Sequence, residues 1–151
     1  MKALMSAIRE ALQTELDYIR PGDFFIAPHE DFIPRDVKFP AVGIKDGQII
    51  RSEGLDSSME YTMEVTLIAW VAIHKPEASI MGDGEDESAV KGVLDVADDI
   101  HDCLDENMLG IEGLIEAFSP SEAGSETMGA DNQFLQKKKI VYRYLIQGDR
   151  P

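Results

Sequence analysis

Tyr61-Thr62-Met63-Glu64-Val65-Thr66-Leu67-Ile68-Ala69-Trp70-Val71-Ala72-Ile73 alternates along its whole length. Successive side chains of a strand point to opposite faces, so a period of two assigns each residue to a side. Tyr61, Met63, Val65, Leu67, Ala69, Val71 and Ile73 form one apolar face. The other face is polar at Thr62, Glu64 and Thr66 and apolar at Ile68, Trp70 and Ala72. The pattern predicts a long strand with a core on one side. On the other side, the Thr62–Thr66 end meets water and the Ile68–Ala72 end lies under a helix or a neighbouring subunit.

Upstream, Leu4, Ile8, Leu12, Leu16 and Ile19 recur at the spacing of one helical face over residues 3–19, and Pro21-Gly22 stops the run. Phe24-Phe25-Ile26 reads as a short strand. Residues 29–38 read as a loop pinned by Phe32, Ile33 and Val37. Ala41-Val42-Gly43-Ile44 then runs into Lys45-Asp46-Gly47, and Asp-Gly between apolar runs predicts a tight hairpin with Gln48 to Arg51 as its return strand.

Downstream, residues 79–87 read as an acidic loop with Gly82 and Gly84. A second, longer helix is expected from about Ser88 to Asn107, its inner stripe Val90, Val93, Leu94, Ala97, Ile100, Cys103, Leu104 and Met108. Ile111 to Phe118 reads as a strand of irregular alternation, and residues 119–133, rich in Ser and Gly, as a flexible loop. Lys139 to Gln147 closes the chain as a strand with Ile140, Tyr142, Tyr144 and Ile146 on one face. The sum is α+β: a single domain over residues 1–151, with a mainly antiparallel twisted sheet packed by an N-terminal helix and the second helix.

The chain has 151 residues, enough for one core of ordinary size. It sets 14 Lys and Arg against 29 Asp and Glu, a formal net charge of -15. Such a charge repels nucleic acid unless basic residues gather on one face. No apolar run approaches a membrane span. The single cysteine, Cys103, excludes an internal disulfide framework and any multi-cysteine metal site. These features read as a soluble, intracellular protein.

Nothing in the chain spells a catalytic motif. His29, His74 and His101 lack the spacing of a zinc hydrolase. His101 reads as structural, with Asp105 four residues on as a local ion-pair partner. Cys103 on the inner stripe reads as a buried thiol. Asp95, Asp98, Asp99, Asp102 and Glu106 stand four apart in overlapping pairs on the outer side of the second helix. Three readings stay open for that face: a solvated surface, a pore-lining or partner-facing surface, and a shared divalent cation. Lys137-Lys138-Lys139 is the one basic cluster and reads as a rim or interface element that discourages unwanted sheet pairing, with phosphate contact as the alternative. No cofactor is implied.

The layout as a whole resembles a known group. A short N-terminal helix, a strand opened by Phe39-Pro40-Ala41-Val42, the long Tyr61–Ile73 strand, the Ser88–Asn107 helix, a Ser/Gly-rich region and a Tyr-containing closing strand resemble the tail terminator, or tail completion, proteins of tailed bacteriophages and prophages, especially those of Mu-like prophages. The resemblance implies a non-enzymatic ring, commonly a hexamer, that caps the head-proximal end of the tail tube and stops its polymerisation. Its implied partners are further copies of itself, the tail tube protein, a head completion or connector protein and, in contractile tails, the sheath. DNA would pass through without specific binding. It implies residence in the host bacterial cytoplasm during assembly and at the tail–neck junction of the virion. A neck or head-tail joining protein of the same particle, and an acidic cytoplasmic adaptor, are the alternatives.

On this reading a ring subunit needs apolar surface beyond its own core. Ile68, Trp70 and Ala72, with loop residues Phe32 and Phe134, are the candidates for a subunit or partner interface. Asp95, Asp98, Asp99, Asp102 and Glu106 are candidates for an acidic lumen or partner face. Lys137, Lys138 and Lys139 are candidates for a basic rim.

Overall fold

A computed structural model describes residues 1–53, 58–84, 90–130 and 133–148. The alternating segment forms β3 (Met59–Ala72), and the closing strand forms β6 (Gln133–Gly148), longer at its start than the sequence suggested. The two pair antiparallel in unbroken register from Met59↔Gly148 to Ala72↔Leu135. On one face this register aligns Tyr61, Met63, Val65 and Leu67 with Ile146, Tyr144, Tyr142 and Ile140, and all eight are buried.

Two helices cover that face. α1 (Lys2–Glu15) buries Leu4, Met5, Ile8 and Leu12 in the same core. Each such aliphatic side chain contributes about 1.5–3 kcal/mol when fully buried. Leu16 and Ile19 continue the apolar stripe beyond the helix. Tyr18, in the turn that follows, donates to Asp99 at 2.6 Å. α3 (Val93–Leu104) buries Val93, Val96, Ala97, Ile100, Cys103 and Leu104. It has 12 residues against the 14 of α1, and it begins at Val93 where about Ser88 was expected. The start is fixed by Gly92, whose N–H donates to the Asp95 carboxylate at 2.9 Å. Val90, expected on the inner stripe, is exposed, and Ser88 lies outside the described residues.

The sheet order is β1-β2-β3-β6-β4, with β1 (Phe24–Ile26), β2 (Ala41–Glu53) and β4 (Leu114–Glu122); β5 (Glu126–Ala130) pairs with the first part of β6. β1 and β2 are parallel, with Phe24 beside Val42, and every other pair is antiparallel.

Three expectations are corrected here. The hairpin at Asp46-Gly47 does not form: β2 runs through it, and the register with β3 shifts between Asp46 and Ile49. A Cβ on Gly47 would lie 2.6 Å from the Glu64 carbonyl oxygen, so the glycine serves close backbone approach at a bulge and not chain reversal. The 119–133 loop is largely strand, because β4 reaches Glu122 and β5 follows. Backbone bonds hold β5 to β6, so Glu126-Thr127-Met128-Gly129-Ala130 needs no apolar pattern. The 79–87 loop begins inside a short helix, α2 (Pro76–Met81), while Glu85, Asp86 and Glu87 lie outside the described residues. The irregular alternation of β4 also has its cause: the register with β6 shifts between Leu114 and Glu116, which turns both Leu114 and Ala117 inward.

α2 and α3 meet at two glycines. A Cβ on Gly92 would stand 2.4 Å from both the Gly82 nitrogen and the Ile80 carbonyl oxygen. Gly92→Ala should therefore destabilise the protein by about 1–3 kcal/mol in urea unfolding, the usual cost of overpacking. Gly124→Ala, where a Cβ would meet nothing within 4 Å, should stay within experimental error.

Candidate functional site

β1 and β2 are parallel neighbours, so the chain between them must travel back along the sheet before β2 starts. Here the return is made by residues 27–40, which cross the sheet face opposite the helices. Phe32, Ile33, Val37 and Phe39 pack on Phe25, Ala27, Ala41, Ile68, Trp70 and Leu135 in a second apolar cluster. The apolar half of the second face of β3 is thus covered by the chain's own loop. The cover within the chain is a loop, where a helix or a neighbouring subunit was the expectation.

That placement divides the interface candidates by exposure. Ile68 and Trp70 are 0% exposed, and Ala72 and Phe32 are half-buried against the same cluster. Only Phe134 stands free, at 67% exposure. The Trp70 indole N–H is buried without a hydrogen-bond partner among the described residues, and the Lys137 ammonium sits 5.6 Å from its ring centroid.

The lysine cluster is likewise turned inward. Lys137 and Lys138 are buried, and Lys139 is part-buried. Lys137 Nζ donates to Asp31 at 2.5 Å and Lys139 Nζ to Glu30 at 2.8 Å, which ties the crossing loop to β6. Lys138 Nζ donates to the Ala123 carbonyl at 2.8 Å, 3.9 Å from Glu122. Each ammonium therefore already has a partner within the chain, and the expected basic rim is a set of struts.

A second clamp holds the loop's base, and no sequence pattern marked it. The buried Asp23 carboxylate accepts from Arg20 Nε at 2.7 Å and Nη2 at 2.9 Å, and from the Lys38 backbone N–H at 3.1 Å. The Arg20 guanidinium holds the Asp23 carboxyl below the usual range against the opposing effect of burial. Lys137 does the same for Asp31.

The acidic helix face divides. Asp95 caps α3, and Asp99 accepts from Tyr18 and lies 3.6 Å from Lys91. Burial, and then Asp99, push the Tyr18 phenol far above its ordinary range. Asp98, Asp102 and Glu106 remain exposed. Cys103 is buried beside them, and burial pushes its thiol up to about 11, away from nucleophilic use. Among the described residues, no group of three or more His, Cys, Asp and Glu side chains is placed to hold a metal ion. His101 contacts Asp105 at 3.5 Å, as the four-residue spacing suggested. It also reaches Tyr142 and Glu122, partners far away in sequence.

Asp99, Asp102 and Cys103 border an open cavity with Glu15, Tyr18 and Lys91. No protein-family profile matches the chain, and no curated protein sequence matches it. Among solved structures, it is similar to a chain in the virion of a native gene transfer agent (GTA) particle, with a TM-score of 0.60 and 11% identity. The match covers 96% of this chain and 95% of that one. The likeness is one of fold.

Trp70→Ala should cost about 3–5 kcal/mol of stability, the range for emptying an aromatic core site. The single tryptophan's emission should resist iodide quenching at every protein concentration, because its cover belongs to the same chain. The depressed carboxyls of Asp23 and Asp31 add stability that is complete above the ordinary aspartate value near 3.9 and is lost as pH falls through their lowered values. Urea titrations from neutral to acid should show this decline below about pH 4, with Asp23→Asn less stable at neutral pH and flatter in acid.

Proposed function

We propose that the protein is a structural subunit of a tailed-phage-like particle, closing into a ring that caps the head-proximal end of the tail tube. The observation that carries this reading is the nearly end-to-end likeness of fold to a chain of the gene transfer agent virion. The layout resemblance to tail terminators supports the more specific station, and no chemistry in the described residues competes with a structural role. Hexameric closure, contact with the tail tube and with a head completion or connector protein, and sheath contact in a contractile tail complete the proposal.

The contact surface for a neighbouring copy must come from what the fold leaves open. β1 covers β2 only at Val42 to Ile44, and from Asp46 to Glu53 no described strand pairs with the outer edge. Ile49 and Ile50, 42% and 48% exposed, flank that edge on opposite faces of the sheet. With Phe134 they replace Ile68 and Trp70 as the proposed subunit contacts. The bulge at Asp46–Ile49 and the charges of Lys45 and Arg51 limit promiscuous pairing there.

A ring that passes DNA benefits from a lining that repels phosphate. Asp98 and Asp102 on α3, and Glu106, which lies past the end of α3 in a left-handed turn, are free for that role, because Asp95 and Asp99 serve the fold. Light scattering after size exclusion, with negative-stain microscopy, should show closed rings, alone or on isolated tail tubes whose growth they stop. A chain that stays monomeric and leaves tube length unchanged would sink the proposal. Binding to head connectors but not to tubes would move the protein to the neck. Replacing Asp98, Asp102 and Glu106 with Asn, Asn and Gln should raise DNA retention by assembled rings, and unchanged retention would remove these acids from the lumen.

A further inference from the structure

His101 lies where α3 meets β4 and β6, and each of its ring nitrogens has an oxygen partner. Nδ1 is 2.7 Å from the Tyr142 hydroxyl, and Nε2 is 3.3 Å from Glu122 Oε1. The Tyr142 hydroxyl donates to Asp105 Oδ1 at 2.6 Å.

Counting protons along this chain fixes the imidazole's state. A tyrosine hydroxyl has one proton, and it is engaged in the hydrogen bond to the Asp105 carboxylate. The phenol keeps that proton, because burial, and then Asp105, push its ionisation far above the ordinary range. The Tyr142 oxygen then offers His101 only a lone pair, so Nδ1 must carry hydrogen whether the ring is neutral or charged. In the neutral ring Nε2 consequently presents a lone pair to the Glu122 carboxylate, and no hydrogen lies between them. In the imidazolium both nitrogens donate.

We propose that His101 is a proton-operated tie. It is locked as the Nδ1–H tautomer when neutral, and it fastens α3 to the end of β4 when Nε2 gains a proton.

The part that is fastened is a short stretch beyond a break in the ladder. The β4–β6 register shifts between Phe118 and Ser121, and only Ser121 and Glu122 pair again beyond the shift, opposite Val141 and Ile140. The Ala123 N–H then donates to the Lys139 carbonyl at 3.0 Å as the chain turns toward β5. The charged groups around the tie come from all three elements: Asp105 and Glu106 at the end of α3, Glu122 on β4, and Lys138 on β6. Lys138 lies 3.9 Å from Glu122 Oε1, so it only partly offsets the carboxylate when His101 is neutral.

Long-range proton–nitrogen NMR of the imidazole, compared between acid and alkaline samples, tests the tautomer directly. Both nitrogens should be protonated on the acid side, and Nδ1 alone on the alkaline side. An Nε2–H tautomer in the neutral form would overturn the proposal. Amide exchange at Ser121 to Ala123, corrected for its intrinsic hydroxide dependence, tests the tie. Protection should be about two- to fivefold greater on the acid side, the scale of a part-exposed ion pair. Glu122→Gln should abolish that difference, because a carboxamide can donate to the neutral ring. An equal pH dependence in wild type and Glu122→Gln would also overturn the proposal.

Discussion

The β3–β6 ladder is the constraint from which the remaining structure follows. Its register is uninterrupted from Met59↔Gly148 to Ala72↔Leu135. Because side chains alternate across a sheet, one register fixes both surfaces at once. A slip of one residue would turn Tyr142 and Tyr144 from the helix-covered core to the opposite face, and would move Lys137 from beside Trp70 into that core. The helices have only one apolar platform to dock on, and the ladder builds it.

The second surface is completed by topology. Parallel neighbours cannot be joined by a tight turn. The chain between β1 and β2 therefore has to cross the sheet, and the helices already occupy one side. The crossing segment takes the other and covers Ile68, Trp70 and Leu135 with Phe32, Ile33, Val37 and Phe39. The charges there follow the same logic: Glu30 and Asp31 on the segment meet Lys139 and Lys137 on β6, and Asp23 grips Arg20 and Lys38 where the segment begins and ends. Much of the lysine cluster's charge is thus consumed inside the fold.

This explains which parts of the molecule were legible in the sequence. β3, the main part of β6 and the stripe of α1 were readable because each has a periodic apolar face, and a periodic face is a local signal. β2 was misread as a hairpin because Asp46-Gly47 is locally a turn signal, and only the Glu64 carbonyl across the ladder shows why glycine is needed there. β5 was misread because edge pairing relies on backbone bonds, which leave no pattern. The cover over Trp70 was anticipated, but its source was not: Phe32, Ile33, Val37 and Phe39 have no period, so nothing in their spacing says which surface they meet. The same division runs through the candidate residues. His101–Asp105 was readable from helical spacing, whereas Tyr142 and Glu122 join them only through the sheet.

The ladder also bears on assembly. Once the crossing segment has covered the Trp70 cluster and Lys137 to Lys139 are paired, the large aromatic and the basic cluster are no longer available to a partner without unfolding the segment that holds them. The apolar surface left open in the folded chain lies elsewhere: Ile49 and Ile50 at the outer edge of β2, Phe134, and the exposed Ile26, Met81, Val90, Ile115 and Phe118. Ile49 and Ile50 belong to an open strand edge, and Phe134 lies near the start of β6. Contacts placed on different parts of a periphery join copies head to tail, and such joining closes into rings when the rotation between copies allows it. The proposed contacts at Ile49, Ile50 and Phe134 fit this geometry because they leave untouched the area around Trp70, which the chain itself fills.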